Sequence, residues 1–162
     1  YTSINNMQLE KKIAKKLIAG QKTIAIAESC TGGFLTHRLT NISGSSAFLI
    51  ATIVSYANRA KVKLLKVPAS VIETNGAVSA PVAKLMARNM QKLFNTDFGV
   101  AITGIAGPTG GTVQKPVGLV FIAVAGRKKL IAERNLFKGS RLQIKTQAAQ
   151  RALELLFKTI GP

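Results

Sequence analysis

A hydroxyl, a phenol and an amine follow one another closely along the chain, at Ser45, Ser46, Tyr56 and Lys61. A serine hydroxyl attacks an amide carbonyl when a base removes its proton, and a lysine is such a base once desolvation leaves part of it neutral. A tyrosine between them can orient the pair or relay the proton. The single histidine, His37, is predicted on the polar face of a helix, which argues against a Ser-His-Asp triad. The same residues also fit a serine-rich turn, a tyrosine at a strand end and a surface lysine.

Two polar, glycine-rich segments follow apolar runs of strand length. Glu28–Gly33 comes after the run Thr23–Ala27, and Thr103–Gly111 continues the run Asp97–Thr103. Ligand sites of open α/β sheets lie at such strand ends, and the amides at a helix start favour an anion such as phosphate. Neither segment has the dinucleotide or P-loop spacing. A structural turn and a connecting loop therefore remain alternatives.

Alternating helical and strand patterns surround these segments and must position them. Helices are predicted over Met7–Ile18, Phe34–Leu39, Arg59–Leu65, Val82–Phe94 and Leu142–Ile160. Strands are predicted over Thr23–Ala27, Phe48–Ser55, Asp97–Thr103, Val117–Ala125 and Leu130–Phe137, the last two as a hairpin. This order predicts an α/β fold, a three-layer α/β/α sandwich with a mixed, mostly parallel sheet.

The composition limits the class of protein. With 162 residues, 47% of them hydrophobic, the chain suits a single domain over residues 1–162. No apolar run approaches the ~20 residues of a membrane span, and Tyr1–Lys12 lacks a signal-peptide pattern. The single cysteine, Cys30, cannot form an intramolecular disulfide, so a cytoplasmic protein without membrane contact is expected. One cysteine, one histidine and six scattered acids predict neither a metal nor another cofactor.

The net charge of +17 fits either an anionic partner, a nucleic acid or a phosphorylated small molecule, or lysines spread over solvated faces, which their even distribution along the chain favours. The basic residues form no dominant block, and aromatic residues make up only 6% of the chain, so nucleic acid is not the expected partner. A non-catalytic basic nucleotide- or nucleic-acid-binding module is kept as the alternative function. A salt titration separates the two hypotheses, because binding to a phosphate backbone weakens steeply with ionic strength.

Six segments together carry a family resemblance: Ala27–Gly33, Gly44–Ala47, Ser55–Lys61, Gly76–Ser79, Thr103–Pro108 and Lys115–Gly118. In order and spacing they resemble the C-terminal domain family of the competence/damage-inducible protein CinA. Its stand-alone members include nicotinamide mononucleotide deamidases. The resemblance covers nearly the whole chain, and 162 residues leave no room for the further domain of longer members, so a stand-alone form is expected.

The resemblance implies hydrolysis of nicotinamide mononucleotide to nicotinic acid mononucleotide and ammonia, without a cofactor. It assigns the nucleophile to Ser46, in the Gly-Ser-Ser turn, with support from Tyr56 and Lys61; Ser45 and Ser29 are the next candidates. The predicted substrate-binding residues, which include the contacts to the 5′-phosphate, are Ser29, Cys30, Thr31, Gly32, Gly33, Ser45, Thr103, Gly104 and Arg141. Because family members are often oligomers, and the hairpin Val117–Phe137 offers an edge, a homodimer is also expected.

The chain departs from the family pattern at a few positions. Thr112-Val113-Gln114 stands where the family has Ser-Glu-Glu, Ser140 replaces an aspartate, and Lys145 replaces an arginine. These departures concern the phosphate or ribose contacts rather than the nucleophile.

Overall fold

One five-stranded sheet organises the protein, whose computed structural model describes residues 8–162. The strands are β1 (Ile24–Glu28), β2 (Leu49–Val54), β3 (Phe98–Gly104), β4 (Leu119–Ala125) and β5 (Leu130–Leu136), in the order β2-β1-β3-β4-β5. β1 is parallel to β2 and to β3, whereas β4 is antiparallel to β3 and β5. Four strands therefore point the same way, as the predicted mixed, mostly parallel sheet requires.

Helices cover both faces of the sheet. They are α1 (Gln8–Ala19), α2 (Phe34–Thr40), α3 (Asn58–Leu65), α4 (Ala69–Asn75), α5 (Ala80–Leu93) and α6 (Arg141–Ile160). One core lies under α1, α2 and α6, and a second lies under α3, α4 and α5. The three-layer prediction is confirmed; only α4 was not predicted, and Met7 of the predicted first helix lies outside the described residues. None of the helices within residues 8–162 is both long and apolar enough to cross a membrane.

The two faces of the sheet differ in side-chain size, which sets how closely the helices approach. On β1, Ile24 and Ile26 face the core of α1 and α6, whereas the small Ala25 and Ala27 face α5. Gly99 on β3 also faces α5 and leaves no room for a side chain, since a Cβ there would lie 2.0 Å from the Ala87 carbonyl oxygen of α5. The helix therefore packs almost directly on the backbone and holds the strand ends firmly.

A buried ion pair fixes α2, the helix that follows the first polar segment. The Arg38 Nε donates to Glu10 of α1 at 2.6 Å, and its Nη2 donates to Gln150 of α6 at 2.9 Å. Arg38 and Glu10 are 4% and 2% exposed, so removal of either partner leaves the other charge buried without compensation.

We therefore expect Arg38→Met to lower the free energy of unfolding by about 3–5 kcal/mol, the usual cost of breaking a buried pair from one side. Urea denaturation measures it. Lys12→Met, at an exposed position of α1, is the control and should change stability by less than about 0.5 kcal/mol. Equal effects of the two substitutions would show that the ion pair does not hold α2.

Candidate active site

The last residue of β1 caps the helix that follows it. Glu28 is fully buried, and its carboxylate accepts hydrogen bonds from the amides of Gly33 (3.1 Å), Leu35 (3.2 Å) and Thr36 (2.9 Å). The Thr36 hydroxyl donates a fourth bond at 2.7 Å. A negative charge is stabilised at a helix N-terminus, so this cap ties the intervening turn to α2. Ser29 is the first residue of that turn.

The cap and the turn take up two of the three amides of Thr31–Gly33, the segment predicted to contact the substrate phosphate. The Gly33 amide donates to the Glu28 carboxylate, and the Gly32 amide donates to the Ser29 carbonyl oxygen at 3.0 Å. Thr31 is 0% exposed, and its buried hydroxyl has no hydrogen-bond partner within residues 8–162. Gly32 is exposed, and the Lys145 amine lies 3.7 Å from its ideal Cβ position. In the sequence, the signal for this cap of α2 was the glutamate directly before the glycine-rich turn.

Lys61 lies in the first turn of α3 and is only 2% exposed. Its Nζ lies 2.9 Å from the Ser29 Oγ, 2.7 Å from the Ser55 carbonyl oxygen and 3.4 Å from the Tyr56 carbonyl oxygen. The parallel register of β1 and β2 pairs Glu28 with Val54, so the residues that follow both strands meet at one sheet edge. The tertiary structure thus joins a hydroxyl and an amine that are distant in sequence.

Burial makes the Lys61 amine easier to deprotonate than that of a free lysine. Burial lowers the pKa of the Lys61 amine, an effect that the neighbouring Cys30 thiol opposes only in part. Carbonyl oxygens only accept hydrogen bonds, so Ser55 and Tyr56 orient two N–H bonds of the amine. The Lys61 Nζ donates to the Ser29 Oγ in the structure, and loss of one proton from the amine would free a lone pair at this position to accept the proton of the Ser29 hydroxyl. The pair has the arrangement of a nucleophile and its general base.

Ser46 lies at the opposite end of β2 from Lys61. Ser45 and Ser46 belong to a short 3-10 turn that precedes β2, next to Phe48, whose carbonyl accepts from the amide of Ile24. The six residues of β2 separate this turn from the Lys61 edge by about 20 Å, at roughly 3.3 Å per residue. The predicted pairing of Ser46 with Lys61 is therefore not formed within this chain, and Ser45 lies equally far from the cleft. Ser29 occupies the place beside Lys61.

The Tyr56 hydroxyl does not contact Lys61 either. It accepts a hydrogen bond of 2.7 Å from the Arg141 Nη2, while the Arg141 Nη1 donates to the Gly107 carbonyl oxygen, also at 2.7 Å. The predicted proton relay through the Tyr56 hydroxyl is corrected accordingly: Tyr56 contacts Lys61 through its backbone. Its ring instead joins Arg141 at the rim of a cleft of about 200 Å³.

The cleft unites the two predicted polar segments. Ser29 and Cys30 line one side, and Gly104–Gly107 with Thr109 and Gly110 line the other. Thr103, predicted to bind substrate, is 1% exposed, and its hydroxyl donates to the Ala77 carbonyl oxygen at 2.9 Å. It positions the Gly104 loop rather than facing the cleft.

Two of the departures from the family pattern are accommodated structurally. Ser140 caps α6, its side chain accepting from the Gln143 amide, which is the role an aspartate also performs. Lys145 lies one helical turn after Arg141 and keeps a positive charge near Gly32. Val113 is 95% exposed and does not line the cleft.

Comparison with known proteins identifies relatives of similar sequence. A 149-residue segment is 52% identical to a CinA-like protein of Syntrophus aciditrophicus (strain SB), covering 91% of this chain and 36% of that protein. A CinA-like protein of Koribacter versatilis (strain Ellin345) is 46% identical over 158 residues, covering 98% of this chain and 38% of that protein. The chain thus spans little more than a third of the length of these relatives.

Solved structures share the fold over almost their full length. The competence/damage inducible protein CihA from Agrobacterium tumefaciens superposes with a TM-score of 0.95 at 34% identity, covering 100% of this chain and 99% of that one. A CinA superfamily protein from Klebsiella pneumoniae gives 0.92 at 31% identity, covering 96% of this chain and 98% of that one. Residues 6–160 match the CinA C-terminal domain. The chain belongs to the CinA C-terminal domain family.

Proposed function

We propose that this protein hydrolyses the carboxamide of nicotinamide mononucleotide, giving nicotinic acid mononucleotide and ammonia, with Ser29 as nucleophile and Lys61 as general base. The contact of 2.9 Å between the buried Lys61 amine and the Ser29 hydroxyl carries the proposal. The family resemblance suggests the substrate, and this contact supports Ser29, rather than the expected Ser46, as the nucleophile.

In the first half of the reaction the Ser29 Oγ bonds to the carboxamide carbon, and its proton passes to the Lys61 Nζ. The tetrahedral intermediate collapses when its C–N bond breaks, and Lys61 returns the proton to the departing amide nitrogen, which leaves as ammonia. A nicotinoyl ester on Ser29 remains. Backbone amides of Ala106 and Gly107 bond to no acceptor within residues 8–162 and line the same cleft, which makes them the candidate oxyanion donors.

In the second half a water molecule enters the place that ammonia has left. Lys61, neutral again, takes a proton from this water as its oxygen bonds to the ester carbon. The C–O bond to Ser29 then breaks, the Ser29 oxygen takes its proton back from Lys61, and the carboxylic acid product leaves and ionises by giving its proton to water. The net reaction consumes one water and releases one ammonia, so no cofactor is required.

Cys30 is the nearest competing nucleophile, and its chemistry argues against that role. Burial raises the pKa of the Cys30 thiol to about 11. The thiol therefore stays protonated at neutral pH, whereas the thiolate is the reactive form of a cysteine. Cys30 instead forms part of the cleft wall beside Ser29.

Arg141 is the proposed contact of the 5′-phosphate, with Lys145 beside it on α6. The Arg141 guanidinium already lines the cleft, held by the Gly107 carbonyl and the Tyr56 hydroxyl, both neutral groups. Its positive charge is therefore uncompensated and available to a phosphate, which guanidinium groups bind through paired hydrogen bonds.

We expect Arg141→Met to raise the KM for nicotinamide mononucleotide about ten- to a hundredfold, the usual worth of hydrogen bonds to a charged group. Steady-state kinetics on the riboside that lacks the phosphate supplies the control, because kcat/KM for that compound should change little. An equal loss with both compounds would mean that Arg141 does not bind the phosphate.

The proposal as a whole is tested by ammonia release from nicotinamide mononucleotide by the purified chain. Product identity is checked by chromatography, and the Ser29→Ala protein prepared in parallel serves as the blank. Turnover by the unmodified chain, absent from the blank, is expected. No turnover, under conditions in which another family member is active, would contradict the proposal.

A further inference from the structure

A second and larger cleft lies at the other end of β3. Its volume is about 430 Å³, and the residues that line it are Arg88, Gln91, Lys92, Asn95–Asp97 and Arg127. Asp97 directly precedes β3, whereas Gly104, the last residue of β3, lines the Ser29 cleft. The seven residues of β3 separate the two clefts by about 20 Å, at roughly 3.3 Å per residue.

Arg88 presents a fixed and uncompensated positive charge in this second cleft. Its Nη1 donates to the Gln91 Oε1 at 2.6 Å and to the Gly126 carbonyl oxygen at 2.8 Å, and its Nη2 donates to the Lys129 carbonyl oxygen at 3.2 Å. All three acceptors are neutral. A guanidinium has five N–H donors, so Nε and one hydrogen of Nη2 remain for a ligand.

The rest of the lining adds positive charge from two further positions. Lys92 follows Arg88 by one turn on α5, and Arg127 lies in the turn between β4 and β5; both are exposed, and neither side chain makes a hydrogen bond within residues 8–162. The one carboxylate of the lining, Asp97, is already engaged by the Thr23 amide at 3.0 Å and the Lys22 amine at 3.2 Å. Two cations of α5 and one from the turn between β4 and β5 thus line this space. Arg127 lies close enough to Asp97 to help lower the pKa of that carboxyl, which already accepts from Thr23 and Lys22.

We propose that this cleft binds a small polyphosphate, the diphosphate or triphosphate group of a nucleotide or the free inorganic anion. Cleft volumes of about 300–1,000 Å³ are typical of small-molecule sites. Arginine and lysine bind phosphate oxygens through charge-assisted hydrogen bonds, and three cations spread over 430 Å³ match a chain of phosphates better than a single one. This site is separate from the proposed amide hydrolysis and does not depend on it.

Isothermal titration with inorganic pyrophosphate, at about physiological salt, tests the proposal on the full chain. The variant Lys92→Gln/Arg127→Gln removes two lining charges. The matched control Lys84→Gln/Lys128→Gln removes two exposed charges from the same helix and the same turn, outside the lining. Both variants carry a net charge of +15, since each loses two of the +17 charges. All four positions are exposed, so both proteins should fold.

We expect the affinity for pyrophosphate to fall at least about tenfold in the lining variant, which corresponds to about 1.4 kcal/mol, and less than about twofold in the control. Equal losses in both variants would assign binding to the overall charge and overturn the proposal. If Arg141→Gln lost binding and the lining variant did not, the anion would bind in the Ser29 cleft. That result would also overturn the proposal. Unmodified protein that binds pyrophosphate more weakly than about 1 mM would overturn it as well. Adenosine triphosphate, titrated in the same way, distinguishes a nucleotide from the inorganic anion.

Discussion

Ser29→Ala is expected to lower kcat for the hydrolysis of nicotinamide mononucleotide by about a thousandfold or more, because removal of a covalent nucleophile deletes its pathway. The reason lies in the contact of the Ser29 hydroxyl with the Lys61 amine at 2.9 Å. Ammonia release under saturating substrate measures the effect. Circular dichroism and thermal unfolding verify that the variant folds.

Ser46→Ala is the matched control for this substitution. Ser46 is an exposed serine in the turn before β2, and its side chain makes no hydrogen bond within residues 8–162. We expect its activity to stay within a few-fold of that of the unmodified chain. Loss of activity in Ser46→Ala, together with an active Ser29→Ala protein, would return the nucleophile to the Gly-Ser-Ser turn.

A trapping experiment separates covalent catalysis by Ser29 from direct attack by water. Hydroxylamine added during turnover should intercept the nicotinoyl ester and yield the hydroxamate of nicotinic acid mononucleotide. The hydroxamate should form with the unmodified protein and not with Ser29→Ala. Hydrolysis without trapping at any hydroxylamine concentration would favour a water attack in which Ser29 only positions the substrate.

Lys61→Arg is expected to lower kcat/KM nearly as far as Lys61→Ala, by about a hundredfold or more, because general base catalysis typically contributes about 10²–10⁴-fold. Arginine keeps the positive charge but does not lose its proton at accessible pH, so it offers no lone pair to Ser29. If Lys61 acted only through its charge, Lys61→Arg would remain active. Kinetics on the two variants side by side therefore distinguish a base from an electrostatic role.

The pH profile gives a second test of Lys61. Burial lowers its pKa below the ~10.4 of free lysine, and only the neutral amine accepts a proton. The rate should therefore rise with pH and level off above the lowered pKa. The residual rate of Lys61→Arg should not show this rise. A profile of the unmodified protein that stays flat through the neutral and alkaline range would contradict the assignment.

The lowered pKa of Lys61 also predicts how the stability of the fold depends on pH. Lys61 binds its proton more weakly in the folded than in the unfolded chain, so keeping it charged in the fold costs stability below the lowered pKa. The cost diminishes as the pH rises from that value towards the pKa of free lysine. We expect the free energy of unfolding, measured by urea denaturation, to rise with pH between these two pKa values, and Lys61→Met to lack this rise.

Local periodicity determined the secondary structure and the layers of this protein. The alternation of Ile24 and Ile26 with Ala25 and Ala27, the Ser79 helix cap and the turn Gly126–Lys129 are all readable from neighbouring residues. Such signals depend on residues a few positions apart, which is why the predicted strands and hairpin agree with the structure within a few residues. The missing element, α4, is short and begins after Pro68, where the pattern offers little periodicity.

The contacts of the candidate site were decided by the tertiary structure. Ser29 meets Lys61 because β1 and β2 are parallel neighbours with Glu28 in register with Val54, so the residues after both strands converge. Arg141 reaches Tyr56 because α6 begins at the same edge of the sheet. Ser29, Tyr56 and Lys61 were all named before the structure, but the family resemblance paired Lys61 with Ser46, which is nearer to it in sequence than Ser29. Strand order and register are properties of the whole sheet. They place Ser46 at the far end of β2 and Ser29 against the Lys61 amine.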